Sequence, residues 1–231
     1  MKTIGLIGGM SWESSAEYYR IINEEIKSVL GGLHSAKCIL SSVDFSEIEH
    51  YQSMGNWEMA GQLLTNVAIG LEKAGADFIV ICTNTMHKVV PIIEKFISIP
   101  ILHIADATAA EINKQHIQKV GLLGTKYTME LDFYKNKLIE QEIAVITPSE
   151  QERNEVNRII FEELCLGDLQ VQSKEYYKQV ITGLIEKGAQ GIILGCTEIG
   201  LLIKEQDVSI PIFDTAIIHA KKAATIAVTN S

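Results

Sequence analysis

The feature that most constrains the fold of this chain is an internal repeat. Residues 75–84 align without a gap on residues 188–197, and a Ser-Ile-Pro-Ile segment follows in both halves, at residues 98–101 and 209–212. Chance similarity between two α/β segments is the alternative, but composition alone rarely preserves a gapless match. We therefore expect two similar halves related by a pseudo-two-fold axis.

Short apolar runs alternate with amphipathic helical patterns in both halves. Strands that alternate with helices indicate βαβ units, and hence parallel sheets with helices on both faces. The predicted fold class is therefore α/β, with a parallel sheet in each half. The predicted strands are residues 3–7, 37–43, 77–81, 119–125 and 142–147, and the predicted helices are residues 12–30, 56–74 and 176–187.

The last residues of the sequence bear on the domain boundaries. Residues 214–231 occupy the place in the second half that residues 106–115 occupy in the first. Each segment is expected to cross and pack on the opposite half, and no Pro/Gly/Ser-rich linker separates the halves. We therefore predict a first domain of residues 1–100 plus 211–231 and a second domain of residues 101–210.

The composition is that of an ordinary soluble globular protein, with 47% hydrophobic and 21% charged residues. The formal net charge of -9 argues against nucleic-acid binding. No apolar run is long enough to cross a membrane, and the N-terminal run meets glycine at Gly8, too early for a signal peptide. Four cysteines without paired spacing favour a reducing cytoplasm, and six histidines show no metal-ligand spacing.

Four predicted strands run into small or polar residues and then into a predicted helix start. These strand ends lie at residues 8–11, 83–85, 124–125 and 196–198. Ligands of parallel sheets collect at the carboxyl ends of strands, and the N-termini of helices favour carboxylates. The sequence therefore predicts that a small anionic ligand binds at these ends.

The repeat aligns Thr83 with Cys196. If the halves face each other, the two side chains approach one ligand from opposite sides, as two-base proton transfer at a carbon atom requires. A helix N-terminus is expected to lower the pKa of the Cys196 thiol from about 8.5 towards neutrality. A buried apolar cysteine is the alternative. The Thr83 hydroxyl is a poor base, and a helix N-cap is its alternative role.

Several neighbouring residues have structural interpretations beside functional ones. Cys82 should point away from Thr83 and pack in the core. His87 either tunes Thr83 or is a structural histidine, and Glu198 either modulates the Cys196 thiol or is simply an acid in a first helical turn. Arg153 and Arg158 are candidates for a substrate carboxylate, and the charged run at residues 150–153 resembles a solvated loop or a helix start. The glycines at positions 5, 8 and 9 do not fit a dinucleotide fingerprint.

Three segments resemble motifs of the aspartate/glutamate racemase family. They are Gly-Leu-Ile-Gly-Gly-Met-Ser-Trp-Glu-Ser at residues 5–14, Cys-Thr-Asn-Thr-Met-His at residues 82–87, and Gly-Cys-Thr-Glu-Ile at residues 195–199. The resemblance covers essentially the whole chain. Within the family, the chain is most similar to the L-aspartate/glutamate-specific racemases of enteric bacteria.

This resemblance implies two Rossmann-like domains with the active site between them, a homodimer, and catalysis without pyridoxal phosphate or any metal. It implies that Cys196 is one catalytic residue and Thr83 the other. Most members carry cysteine where this chain has Thr83, so Cys196 would remove the α-proton of the L-enantiomer and the reverse direction would be weak. The residues implied to hold the amino-acid substrate are Met10, Gln52, Thr83, Asn84, Thr85, Thr197 and Glu198.

Two alternatives stay open from the sequence. The first is a non-catalytic protein that binds a dicarboxylic amino acid, having kept the cleft but lost one base at Thr83. The second is a related enzyme such as a hydantoin racemase or a maleate isomerase, which would not prefer a dicarboxylic amino acid. Exchange of the substrate α-proton with solvent separates the binding protein from the racemase.

Overall fold

The structure is a computed structural model that describes residues 1–229. The chain divides into two compact units. The first unit consists of Met1–Ile104 together with the chain from His219 onward, and the second consists of Ala105–Ile218. Each unit is built around one four-stranded parallel sheet, so the predicted α/β class is confirmed.

In the first unit the strands lie in the order β2-β1-β3-β4. The strands are β1 (Ile4–Gly8), β2 (Cys38–Ser42), β3 (Phe78–Ile81) and β4 (Ile101–Leu102). The helices are α1 (Trp12–Leu30), α2 (Phe45–Ser53), α3 (Trp57–Lys73) and α4 (Val90–Ile93), and a 3-10 helix covers Thr85–Val89. The chain therefore leaves β3 and turns almost at once into that 3-10 helix.

In the second unit the strands lie in the order β6-β5-β7-β8. The strands are β5 (Lys119–Gly124), β6 (Ala144–Ile146), β7 (Gly191–Gly195) and β8 (Ile212–Asp214). The helices are α5 (Ile104–Lys114), α6 (Lys126–Glu130), α7 (Asp132–Ile139), α8 (Glu150–Glu162), α9 (Val171–Glu186), α10 (Ile199–Leu202) and α11 (Thr215–Val228). Two 3-10 helices cover Leu164–Leu166 and Glu205–Asp207.

The pairing of the strands reproduces the sequence repeat. Ile4 on β1 lies opposite Phe78 on β3, and the equivalent Val120 on β5 lies opposite Gly191 on β7. The edge pairs agree as well, since β3 meets β4 and β7 meets β8 at the positions that the aligned Ile-Pro-Ile segments predict. The two halves thus share strand order and register, which confirms the predicted structural repeat.

The limits of the helices follow from local chemistry. Ser11 caps α1 by accepting a hydrogen bond from the backbone N–H of Ser14, and α1 occupies the range that its periodicity predicts. Ser149 and Glu152 form a capping box at the start of α8, so the charged run there is a helix start rather than a loop. Helix α9 begins at Val171, earlier than predicted, because Val171 is exposed and the next three residues are polar, so its first turn carries no apolar pattern.

Helix α11 belongs to both units. Its first residues, through Ile218, lie in the second unit, and the rest, from His219, lies in the first. There the backbone N–H of Lys2 donates to the carbonyl of Ala227 over 2.9 Å. Within the described part of the chain, no helix combines the length and the apolar character needed to cross a bilayer.

Candidate active site

A glycine turn joins β1 to α1 at the carboxyl end of the first sheet. Gly9 has a φ of 95°, and a Cβ there would lie 2.1 Å from the carbonyl oxygen of Val43, so only glycine fits. Its N–H donates to Oγ of Ser15 over 2.8 Å, and that hydroxyl donates to the carbonyl of Ser11. The next predicted site residue, Met10, is buried in the apolar core of this unit.

Thr83 lies just past the end of β3 and is partly exposed. Cys82 before it is fully buried, as strand alternation predicts. The backbone on both sides of Thr83 is held by side chains. The Ser14 hydroxyl donates to the carbonyl of Cys82 over 2.9 Å, and Nδ1 of His87 lies 2.8 Å from the carbonyl oxygen of Thr83. The residue that directly precedes the 3-10 helix is Asn84, so Thr83 is not its N-cap.

The other predicted binding residues of the first unit surround this strand end at greater depth. Asn84 and Thr85 are 3% and 5% exposed, and Gln52 is 4% exposed. The Gln52 side-chain amide donates to Sδ of Met86 over 3.0 Å. The structure thus places Gln52 beside the segment that follows Thr83, although sequence reasoning on the residues alone gave no signal for it.

Three buried histidines gather behind this segment. The His87 ring meets His103 at a centroid distance of 4.7 Å and His219 at 5.5 Å, both edge to face. His219 lies 2.9 Å from the Tyr18 hydroxyl through Nδ1, and its Nε2 donates to the carbonyl of Leu102 over 2.8 Å. Burial lowers the pKa of His219 to about 3, and burial together with His103 holds the pKa of His87 well below its usual range.

In the second unit, Cys196 occupies the position after β7 that Thr83 occupies after β3. It is partly exposed, and its Sγ donates to Oε2 of Glu198 over 3.0 Å. The Thr197 hydroxyl donates to the same oxygen over 2.6 Å. The three predicted residues of this unit therefore form one cluster, in which a single carboxylate oxygen accepts from both neighbours.

The expectation of a lowered thiol pKa is wrong for this cluster. Burial, and next the Glu198 carboxylate, raise the pKa of Cys196 well above its ordinary value. The backbone N–H of Glu198 acts in the opposite direction, but helix α10 has only four residues and its dipole is correspondingly small. The raised pKa favours the protonated thiol, which donates its hydrogen bond to Glu198.

The two arginines considered for a substrate carboxylate are already paired. Arg153 donates through Nε to Glu130 over 3.0 Å and through a terminal nitrogen to the carbonyl of Pro148. Arg158 forms ion pairs with Glu155, Glu162 and Glu163. Both arginines therefore stabilise the surroundings of α8.

No metal centre is formed by the residues that the structure describes, since none of their histidine, cysteine, aspartate and glutamate side chains gather as a group of three suited to a metal ion. The four cysteines are free. The candidate reactive groups lie at two strand ends with matched positions. One end carries the Thr83 hydroxyl, and the other carries the Cys196 thiol beside the Glu198 carboxylate. Such groups can transfer protons.

The chain is similar to known racemases. The family model described as Asp/Glu/Hydantoin racemase matches residues 7–223. A provisionally assigned Asp/Glu racemase from Yersinia pestis is 59% identical, with a TM-score of 0.93, and the match covers 98% of this chain and 99% of that one. An aspartate racemase homologue from Pyrococcus horikoshii OT3 is 40% identical, with a TM-score of 0.84 and the same coverage of 98% and 99%.

A further relative is the broad specificity amino-acid racemase RacX of Bacillus subtilis, 28% identical over 158 residues, which is 68% of each chain. The family match spans nearly all of this chain and includes both strand ends that carry Thr83 and Cys196. The chain therefore belongs to the Asp/Glu/hydantoin racemase family, a membership that supports amino-acid racemisation, an isomerase activity, as its function.

Proposed function

We propose that this protein racemises L-aspartate or L-glutamate without a cofactor. Cys196 removes the α-proton of the L-enantiomer, and Thr83 returns a proton to the opposite face of the same carbon. The observation that carries this proposal is the matched position of the two residues, each just past the third strand of a sheet with the same order and register. Two-base racemisation needs one proton-transferring group for each face of the α-carbon.

The cluster around Cys196 supports its role as the base. The thiol must first lose its proton, and Oε2 of Glu198 already accepts that proton's hydrogen bond. Transfer to Glu198 leaves a thiolate, which then takes the α-proton and becomes a thiol again. A raised thiol pKa makes this thiolate scarce but strongly basic. Strong basicity is what removal of a weakly acidic C–H proton requires.

The hydroxyl of Thr83 supports a proposed preference for the L-enantiomer in proton exchange. A threonine hydroxyl is too weak an acid to form an alkoxide readily, so it is a poor base towards the D-enantiomer. As a donor to a carbanion it is adequate, because the strongly basic carbanion takes the proton and solvent restores it. Exchange of the α-proton with solvent should therefore be faster from the L-enantiomer than from the D-enantiomer.

The substrate class rests on the relatives and on polar groups at the two strand ends. The Yersinia pestis relative is assigned to aspartate or glutamate. The groups proposed to contact the amino acid are the backbone at Met10 and the side chains of Gln52, Asn84, Thr85, Thr197 and Glu198. We also propose a homodimer in the cytoplasm, which light scattering and cell fractionation test.

The deciding experiment is proton NMR of L-aspartate and L-glutamate in D₂O with purified protein and no added cofactor. Loss of the α-proton signal, followed by D-product in chiral analysis, supports the proposal. An unchanged signal with both substrates contradicts it. If binding is nevertheless detected by calorimetry, that outcome favours a binding protein that lost one base at Thr83.

A further inference from the structure

The backbone at Thr83 is held from both sides. The carbonyl oxygen of Cys82 accepts from the hydroxyl of Ser14, a residue 68 positions away in sequence, over 2.9 Å. The carbonyl oxygen of Thr83 lies 2.8 Å from Nδ1 of His87. Two consecutive peptide groups, one on each side of the Thr83 side chain, are therefore fixed by side chains from outside the strand.

The bond from His87 defines the state of its ring. A carbonyl oxygen only accepts, so Nδ1 carries the hydrogen and donates. The ring is 1% exposed, and its Nε2 has no hydrogen-bond partner among residues 1–229. A buried nitrogen without a partner is unfavourable. An apolar side chain at position 87 would have no such unpaired nitrogen. We infer that a histidine is useful here because Nδ1 supplies a hydrogen-bond donor.

The surroundings of His87 keep this donor in place. Its ring packs edge to face against His103 and His219. His219 is itself anchored by a hydrogen bond to the carbonyl of Leu102 and by contact with the Tyr18 hydroxyl. The imidazole therefore cannot swing away from Thr83 without disrupting its packing against His103 and His219.

We propose that His87 and Ser14 are positioning residues that fix the orientation of Thr83 for proton return to the substrate, an inference that rests on the function proposed above. A weak acid such as a hydroxyl depends on geometry, because small displacements of a proton donor cost large factors in rate. Cys196 is held differently, since its carbonyl accepts only an ordinary turn bond from the backbone N–H of Ile199 over 3.2 Å. Loss of the positioning contacts should therefore impair the Thr83 step and spare the Cys196 step.

The amount of D-product formed per molecule of L-substrate that exchanges its α-proton separates these two steps. In D₂O, abstraction of the α-proton by Cys196 followed by return from the same side gives deuterated L-substrate, whereas return from Thr83 gives D-product. His87→Leu removes the donor, and we expect D-product per exchanged L-substrate to fall about tenfold or more. His87→Asn places an amide N–H where Nδ1 stood, and we expect it to recover most of the lost ratio.

Two further variants guard against a folding artefact. Ser14→Ala removes the contact on the other side of Thr83 and should lower the same ratio. Thr65→Val removes a different buried hydrogen bond of the first unit, from Oγ1 to the carbonyl of Gly61, and should leave the ratio unchanged. Thermal melts of all variants show whether each is folded.

The outcomes distinguish the two proposals. Absence of α-proton exchange in the unmodified protein overturns the proposed function itself. Exchange with an unchanged ratio in both His87→Leu and Ser14→Ala overturns the positioning role alone. If His87→Leu does not fold, the ratio in Ser14→Ala decides. A lowered ratio in Ser14→Ala, with recovery in His87→Asn relative to His87→Leu where that variant folds, supports the positioning role.

Discussion

The thiol of Cys196 donates to Oε2 of Glu198 over 3.0 Å, so the proposed base and the group that controls its proton are two residues apart in sequence. The carboxylate has two opposed effects on the sulfur. It raises the thiol pKa by its charge, and it offers the site to which the thiol proton can move. Burial, and next the neighbouring carboxylate, therefore raise the thiol pKa, and no helix dipole lowers it to neutrality.

Replacement of Glu198 by glutamine should separate these effects. The neutral amide no longer opposes the thiolate, so we expect the pKa of Cys196 to fall and its alkylation by iodoacetamide to begin at lower pH. Turnover should nevertheless fall by about 10²-fold, because the proton acceptor is lost. Mass spectrometry of the Cys196 peptide across a pH series measures the first effect. Glu150→Gln, which alters an exposed carboxylate at the start of α8, is the control.

Cys196→Ala should abolish α-proton exchange of the L-enantiomer, with a loss of about 10³-fold or more, while the protein stays folded. The expected reason is the removal of the base itself. Deuterium incorporation into L-aspartate and L-glutamate measures the loss, and circular dichroism shows that the fold remains. Normal exchange in this variant would exclude Cys196 as the base.

Substitutions of Thr83 should change which enantiomer exchanges its α-proton and whether D-product forms, rather than only the overall rate. Thr83→Ala should keep exchange of the L-substrate through Cys196 but lose D-product. Thr83→Cys supplies a far stronger acid and base, so we expect exchange of the α-proton of the D-enantiomer with solvent to rise by about tenfold. Initial rates from each pure enantiomer measure this. No gain with D-substrate would mean that Thr83 is not the second proton-transfer group.

The buried histidines predict a stability that falls in acid. The pKa of His219 is lowered to about 3 in the folded protein, whereas the unfolded chain takes up the proton near 6.5. The unfolded state therefore binds more protons below about pH 6.5, and stability present above that pH is lost as pH falls towards 3. At pH 5 the loss from His219 is about 2 kcal/mol.

Urea unfolding at pH 7.5 and pH 5 measures this loss. His219→Gln is the matched variant, because its amide can still donate to the carbonyl of Leu102 but does not titrate. We expect a smaller pH dependence in that variant. Equal dependence in both proteins would show that His219 does not account for the acid sensitivity.

Cofactor independence gives a separate prediction. Because the proposed chemistry uses only protein side chains, dialysis against EDTA and treatment with hydroxylamine, which traps pyridoxal phosphate, should leave turnover unchanged. The same treatments of a pyridoxal-dependent racemase serve as the positive control. A loss that is restored by adding back a metal or pyridoxal phosphate would contradict the proposed mechanism.

Local signals predicted much of the fold from the sequence. Helix α1 was predicted at its observed limits, residues 12–30. The repeat predicted the matched strand ends at Thr83 and Cys196. The short helices α2, α6 and α7 were not predicted, because segments of five to nine residues show too few periodic positions.

The parts of the site that sequence reasoning missed depend on contacts between distant residues. The histidine cluster joins His87 to His103 on one side and to His219 from the last helix on the other, and no spacing rule links these positions. The Ser14 contact with Cys82 is equally distant in sequence. The thiol pKa was mispredicted because burial and the Glu198 carboxylate raise it, while the helix after Cys196 proved to be a single turn.

The position of helix α11 in the sequence has a consequence for the order in which the two units can fold during synthesis. Tyr18 and the strand β4 leave the ribosome early, yet their partner His219 is made only after every strand of the second unit. A domain that emerges first usually folds first during synthesis. Here the first unit must wait for the second to be translated, and the arrival of the final helix is the event that lets its buried histidine cluster close.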